Sequence, residues 1–467
     1  MGNEEVNNLF GRAKRIHLIG IGGIGVSGAA RILLRKGFCV SGSDVRESSI
    51  TMRLREEGAA ITIGHSPENI KGADVVVYST AIPKTNQELA SAENSGLPVI
   101  HRSQLLAFLM SGEFSIGVTG TNGKGTVSAM ITHILKSAGL DPSFFIGGMM
   151  NNYGTNASSG TSGVFVSEID ESDGSLLNTM PDYAVINNIE PDHLNYYRDF
   201  KTIISTIALF IENNKRLKKY FLNASDRGTS MLPDGILGGG VKFGLHPAGD
   251  YSGKITRYNG SSSSFELYRR GDLLGEIDLN LPGKFNALNA IGASAVCSEY
   301  GINFDRIAPA LSSFTGLENR FTVIDAGRFK VVKDYISHPS GISGVIEAAR
   351  EYKPGRIIAV FKPYRFTMIH YLQDEYREAF RHADLCVVTE LYTAGEVPIP
   401  GIDSEFIVNK IGESGVRVKF VKEMSDIEHA LRGEIKNNDM LIFFGGDDLF
   451  AVADDFALKL RRGELFK

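Results

Sequence analysis

The chain has 467 residues, 43% of them hydrophobic and 22% charged, with a formal net charge of -5. That length outgrows a single hydrophobic core, so roughly two to four domains are expected. Charges of both signs are spread along the chain, and no dense Lys/Arg block or uncharged apolar run of ~18–20 residues occurs, which argues against nucleic-acid binding and membrane insertion.

Cys39, Cys297 and Cys386 are odd in number, far apart and without metal-ligand spacing. They read as buried free thiols in a reducing compartment. The opening Gly2-Asn3-Glu4-Glu5 lacks the basic start and apolar run of a signal peptide. A cytoplasmic location is expected, with the chain a monomer or a homodimer.

Short β-branched runs alternate with helical patterns almost from end to end, the signature of α/β folding around parallel sheets. The first module places strands at Ile16–Gly20, Cys39–Ser43, Val75–Ser79 and Pro98–His101. A second begins at Ser115–Thr119, with a helix from about Gly125 and further strands at Val164–Ile169 and Tyr183–Asn187. Between Lys242 and Asn280 the alternation of apolar and polar residues predicts antiparallel hairpins, closed by helices at Phe285–Tyr300 and Asp305–Ser313. A third module starts near Phe321, with strands at Phe329–Lys333, Arg356–Phe361, Leu385–Thr389 and Met440–Phe444.

Two glycine turns carry the chemistry. Gly120-Thr121-Asn122-Gly123-Lys124-Gly125-Thr126 lies between a strand and a helix. Glycines there let backbone N–H groups approach phosphate oxygens, the lysine supplies a full charge, and a hydroxyl can join a Mg²⁺ shell. The match to the nucleotide-loop pattern is incomplete, because Val118 takes its first glycine position and Gly125 its Ser/Thr position. Downstream, Glu168-Ile169-Asp170-Glu171-Ser172-Asp173 and Asn187-Asn188-Ile189-Glu190-Pro191-Asp192-His193 fall at strand ends, where an open α/β sheet forms its ligand crevice. The second turn, Gly20-Ile21-Gly22-Gly23-Ile24-Gly25 with Asp44 at the end of the next strand, taken alone is a dinucleotide fingerprint and would suit an NAD-dependent oxidoreductase.

Together these motifs resemble the Mur ligases and their folylpolyglutamate synthase relatives, over nearly the whole chain. Gly283-Lys284-Phe285-Asn286-Ala287-Leu288-Asn289, Ser41-Gly42-Ser43-Asp44, Gly64-His65 and Tyr78-Ser79-Thr80 are similar to the family, and Glu390–Glu396 with Pro398–Gly401 is most like its alanine-adding branch. The resemblance implies three domains: a Rossmann-like UDP-sugar domain over 1–112, a central P-loop-type ATP domain over 113–318, and a C-terminal Rossmann-like domain over 319–467 that closes on ATP and the amino acid. It further implies ATP and Mg²⁺ as cofactors. The activity it suggests is ligation of L-alanine, or another amino acid, to UDP-N-acetylmuramate through an acyl phosphate in peptidoglycan precursor synthesis. A tripeptide-recycling ligase or a non-catalytic UDP-sugar-binding protein are alternatives.

By that likeness, Lys124, Glu168, His193, Arg320, Asp334, His338 and Arg365 would be catalytic. Gly120–Thr126, Asn286, Asn289 and Arg320 would bind ATP, while Thr126, Glu168 and His193 would organise the metal. Gly22, Gly23, Ile24, Gly25, Ser43, Asp44, His65 and Ser79 would hold the UDP-sugar. The chain departs from the alanine-adding pattern at Asn122, Gly125, Phe285, Asn319, Ile336, Ser337, Tyr364 and Met368. In the family that the chain resembles, several of these positions face the amino acid or the muramoyl carboxylate.

Overall fold

A computed structural model describes residues 2–466; the expected outer domain limits at 1 and 467 lie outside the described residues. Three sheets are strung along the chain. The first has five parallel strands in the order Ala60–Ile63, Cys39–Asp44, Arg15–Ile19, Val75–Tyr78, Val99–His101. The strand order reverses at Arg15–Ile19, and in such sheets the crevice opens at the carboxyl end of that strand. The Gly20–Gly25 turn leaves from there into helix Ile24–Arg35.

The second sheet has ten strands. At its centre, Phe114–Thr119 lies parallel between Tyr183–Ile186 and Val164–Glu168. The run between Lys242 and Asn280 extends this same sheet: Val241–Leu245 pairs parallel with Tyr251–Tyr258, and two antiparallel pairings then add Ser263–Arg269 and Asp272–Leu279. The third sheet has six strands, parallel except for the edge hairpin Thr322–Ala326 with Phe329–Asp334.

The sheets are joined unequally. One hydrophobic core runs from Ile16, Leu18 and Leu33 of the first domain into Phe145, Phe165 and Ile169 of the second. The third domain has cores of its own on either face of its sheet, with Phe285 of the middle domain packed against one of them. A continuous apolar seam fixes the first pair, whereas among the described residues no core of buried residues spans the middle and third domains, the kind of interface that permits relative motion.

Six strands had no sequence expectation. Ala60–Ile63, Thr155–Ser158, Thr322–Ala326 and Arg417–Phe420 are sheet edges, short and only partly covered, so their apolar pattern is weak. Ser143–Met150 contains Gly147-Gly148, which reads as a turn, and Lys219–Asn223 opens on a charged residue. One expectation fails outright: Cys39 is exposed, because it starts its strand at the open end of the sheet, while Cys297 and Cys386 are buried. Among the described residues no helix is long and apolar enough to cross a membrane.

Candidate active site

The phosphate loop is built from behind by asparagines. Gly120 adopts φ +132°, and a Cβ on it would stand 2.7 Å from the Asn188 carbonyl oxygen. Only glycine fits this approach. Asn122 N–H donates to Asn188 Oδ1 at 2.7 Å, while the Asn187 and Asn188 side-chain amides donate to the Asn122 carbonyl at 2.9 and 2.8 Å. Asn187 also donates to Asn289 Oδ1 at 3.0 Å, which ties the loop to helix Lys284–Tyr300. The Asn187-Asn188 pair therefore sets the loop's shape, and both residues also line the cavity into which the loop opens.

Gly123 caps helix Lys124–Ser137, so the helix N-terminus and Lys124 open into one cavity of about 350 Å³. Thr121–Thr126, Glu168, Asn286, Asn289, Arg320 and Asp334 line it. Lys124 Nζ donates to the Gly120 and Thr121 carbonyls at 2.7 and 3.3 Å and pairs with Glu171 at 2.9 Å. Burial works against the lysine's charge, but Glu171, Glu168 and Asp170 outweigh it and raise its pKa above the ordinary value. Glu171 is the partner that the resemblance did not single out. It is buried, which pushes its carboxyl up despite the lysine beside it, and it also accepts from Thr119 Oγ1 at 3.4 Å.

Glu168 accepts a hydrogen bond from Gly147 N–H at 2.9 Å. A Cβ on Gly125 would lie 3.1 Å from its Oε2, so the departure at Gly125 leaves this carboxylate its room. Asp334 accepts from Phe321 and Ile336 N–H at 2.9 and 2.8 Å and stands 3.8 Å from Arg320. Its burial pushes its carboxyl pKa up.

A second cavity, of about 250 Å³, lies between the middle and third domains and is lined by Asp170, Asp192, His193, Tyr364, Arg365, Thr367, Met368 and Leu372. The structure thus separates the expected metal residues: Thr126 and Glu168 face the first cavity, His193 the second, 3.5 Å from Asp192. Arg365 has a buried Nε without a hydrogen-bond partner and its guanidinium over the Tyr364 ring. His338 is buried at the seam, where Nε2 faces the Pro191 carbonyl at 3.1 Å and Nδ1 faces Ser340 at 2.8 Å. Ser340 accepts in turn from Asn122 at 3.0 Å, joining the third domain to the phosphate loop.

In the first domain, Gly22 N–H donates to Asp44 Oδ2 at 2.9 Å, and a Cβ on Gly22 would be 2.8 Å from that oxygen. Gly23, Ile24 and Gly25 open the following helix. Ser43 and His65 meet at 3.0 Å over Glu88, a fully buried carboxylate without a motif to mark it. Burial pushes Glu88 up, yet His17 beside it at 3.5 Å and hydrogen bonds from Ser43 and Asn69 prevail and hold it at about 2. Ser79 is buried in the turn that follows Val75–Tyr78, its carbonyl accepting from Ile82 at 2.9 Å.

Models of three parts of one family match in chain order: the Mur ligase catalytic domain over residues 15–114, the Mur ligase middle domain over 118–297, and the Mur ligase glutamate ligase domain over 319–446. A UDP-N-acetylmuramate–L-alanine ligase of Sorangium cellulosum is 40% identical, with 96% of this chain and 97% of that protein aligned. One from Trichlorobacter lovleyi is 37% identical over 97% of this chain and 100% of its own length. The crystal structure of UDP-N-acetylmuramate–alanine ligase from Thermotoga maritima superposes with a TM-score of 0.81 at 27% identity, covering 96% of this chain and 99% of that one. A murein peptide ligase from Psychrobacter arcticus shares the fold, with a TM-score of 0.71 at 22% identity over 96% and 99% of the two chains. The chain belongs to the Mur ligase family.

Proposed function

We propose that this protein is an ATP-dependent ligase that joins L-alanine to UDP-N-acetylmuramate in the cytoplasm, as a step of peptidoglycan precursor synthesis. The observation that carries this reading is Lys124, held at a helix N-terminus among three carboxylates at the floor of a cavity that the third domain closes. Residues 2–112 take the sugar nucleotide, 113–318 take ATP, and the remainder closes over both and admits the amino acid.

In this reading the γ-phosphoryl group passes from ATP to the lactyl carboxylate, a carboxylate O–P bond forming as the bond to ADP breaks. The amino nitrogen then attacks the acyl carbon, inorganic phosphate leaves, and the nitrogen's surplus proton passes to phosphate or water. Neither step needs a protein nucleophile, so positioning and charge neutralisation dominate. Lys124 and the loop amides hold the β- and γ-phosphates, Asn286 and Asn289 lie on the adenine side, and Arg320 reaches the phosphates from the domain junction. Arg365, with its unpartnered Nε, meets the carboxylate of the amino acid, while Met368 and Leu372 form the apolar wall beside it.

The site also fits Mg²⁺. Among the described residues no three acidic, histidine or cysteine side chains form a ready-made cage. Mg²⁺ asks for one or two carboxylates and completes its shell with phosphates and water. Glu168, Asp170 and Glu171 outnumber the single lysine among them, and Thr126 and Glu168 are the residues placed to hold the ion. Bound there, it would neutralise phosphate charge.

The test is to incubate the protein with ATP, Mg²⁺ and UDP-N-acetylmuramate, offer each common amino acid separately, and identify products by mass. One dominant product carrying alanine is expected. ATP turnover that requires neither the sugar nucleotide nor an amino acid would overturn the reading.

A further inference from the structure

Arg102 is claimed by no motif, yet it stands where the two glycine turns come nearest to sharing a neighbour. It opens helix Arg102–Ser111 at the carboxyl end of strand Val99–His101. Its Nη2 is ion-paired with Asp170, of the acidic run that faces Lys124. A Cβ added to Gly25 would lie 3.6 Å from its Nη1, so the guanidinium overhangs the first turn of helix Ile24–Arg35. The space between is lined by Gly25, Arg102, Phe145, Glu168 and Asp170, and measures only about 20 Å³. That volume admits about one water molecule, and no phosphate.

The Gly20–Ser27 segment contains no cationic residue. A diphosphate held on it would have the loop amides and the helix dipole, worth about half a charge, against two or more negative charges. The missing countercharge has to come from another element, and among the described residues Arg102 is the one cation lining the gap. Two other cations of this domain are bonded elsewhere: Arg31 to Glu57 and Asn156, and His65 to Ser43 and Glu88. Arginine is suited to the task, because its planar fork can release a carboxylate and take two phosphate oxygens in the same geometry.

We propose that Arg102 binds the diphosphate of the sugar nucleotide, and that Asp170 holds it in reserve until that diphosphate displaces the carboxylate. The inference rests on the reading of the N-terminal turn as the sugar-nucleotide site. The exchange opens the gap beside Gly25 and leaves Asp170 facing the Lys124 cluster with one countercharge fewer. Filling the first domain's site thereby changes the charge at the second, which is a coupling between sites in the thermodynamic sense.

The experiment measures UDP binding calorimetrically, without ATP, to the wild type, Arg102→Met and Asp170→Asn. Arg102→Met should weaken UDP about 30-fold, the loss expected when one partner of a desolvated charge pair is truncated. Its ATP affinity, which the uncompensated Asp170 reaches only through Lys124, should change by no more than severalfold. Asp170→Asn should bind UDP severalfold more tightly, because the internal competitor is gone. A merely structural ion pair predicts the opposite sign. Wild-type UDP affinity in Arg102→Met, or unchanged or weaker affinity in Asp170→Asn, overturns the inference alone. A wild-type protein that binds neither UDP nor UDP-N-acetylmuramate overturns the underlying reading, and this inference with it.

Discussion

Two strand–glycine-turn–helix units sit in neighbouring domains and use the same backbone device to different ends. The turn at Gly120–Lys124 carries its own lysine, is braced by two asparagines, and looks onto three carboxylates. The turn at Gly20–Gly25 carries no cation, is braced by Asp44, and has the Arg102 guanidinium of another helix beside Gly25. Backbone amides make both turns receptive to phosphate. What surrounds the amides separates them: a resident cation among carboxylates suits transferring a phosphoryl group, and a borrowed one suits holding a diphosphate that must later leave.

The sharpest way to break that contrast is Lys124→Met. We expect kcat to fall by about 10²–10³-fold, the cost of losing one preorganised electrostatic group. UDP affinity should fall only severalfold, because this lysine reaches the other turn only through Asp170. Equal losses in ATP turnover and UDP binding would mean that the two turns are not separate sites. Single-turnover kinetics alongside UDP titration separate the two outcomes.

Glu88 tests the first turn's support. Its folded-state pKa is held at about 2 against an ordinary 4.5. A depressed carboxyl pKa stabilises the fold above about pH 4.5, and the contribution is lost as pH falls through about 2. Glu88→Gln should therefore cost on the order of 3 kcal/mol near neutral pH. The gap from wild type should narrow steadily on acidification below about pH 4.5. A gap that stays constant with pH would show that shape, and not charge, is what Glu88 provides beneath Ser43 and His65. Denaturant unfolding at a series of pH values gives the answer.

Much of this architecture was legible in advance. Strands buried on both faces, such as Arg356–Phe361 and Tyr183–Ile186, announce themselves as continuous apolar runs. The phosphate loop was legible because glycine and lysine at fixed spacing have few other uses. Glu88, Glu171 and Arg102 were much less so, since their meaning depends on partners distant in sequence: Glu88 on His17, Glu171 on Lys124, Arg102 on Asp170. A lone Glu in a helix, or an Arg at a helix start, has no local pattern to distinguish it from a solvated surface residue. The asparagine pair shows the reverse case, visible as a motif while its role as a brace emerged only from the fold.

That brace can be weakened in isolation. Asn187→Ala removes the amide that bonds both the Asn122 carbonyl and Asn289 Oδ1, while Asn188 keeps its own bond to the same carbonyl. About 1–2 kcal/mol of loop preorganisation should go, which raises the KM for ATP about tenfold. UDP affinity should be spared. A change in kcat alone would place Asn187 at the reacting atoms instead of behind the loop.

The smallest effect should come from the seam with the third domain, and it separates bracing from closure. Ser340 accepts from Asn122 and faces His338 Nδ1, so it links the phosphate loop to a domain that packs against the middle one without a shared continuous core. Ser340→Ala deletes two hydrogen bonds that are partly open to solvent and leaves the His338 contact with the Pro191 carbonyl in place. A loss of about 1 kcal/mol, or roughly fivefold in kcat/KM, follows if closure over the nucleotide is what these bonds favour. The loss should fall on kcat/KM for ATP, with affinity for UDP measured in the absence of ATP unaltered. A solvent-viscosity effect on kcat that is larger in the variant than in the wild type would show closure becoming rate-limiting. An identical viscosity dependence would assign Ser340 to the loop's static shape and place the domain's closing contacts elsewhere along the seam.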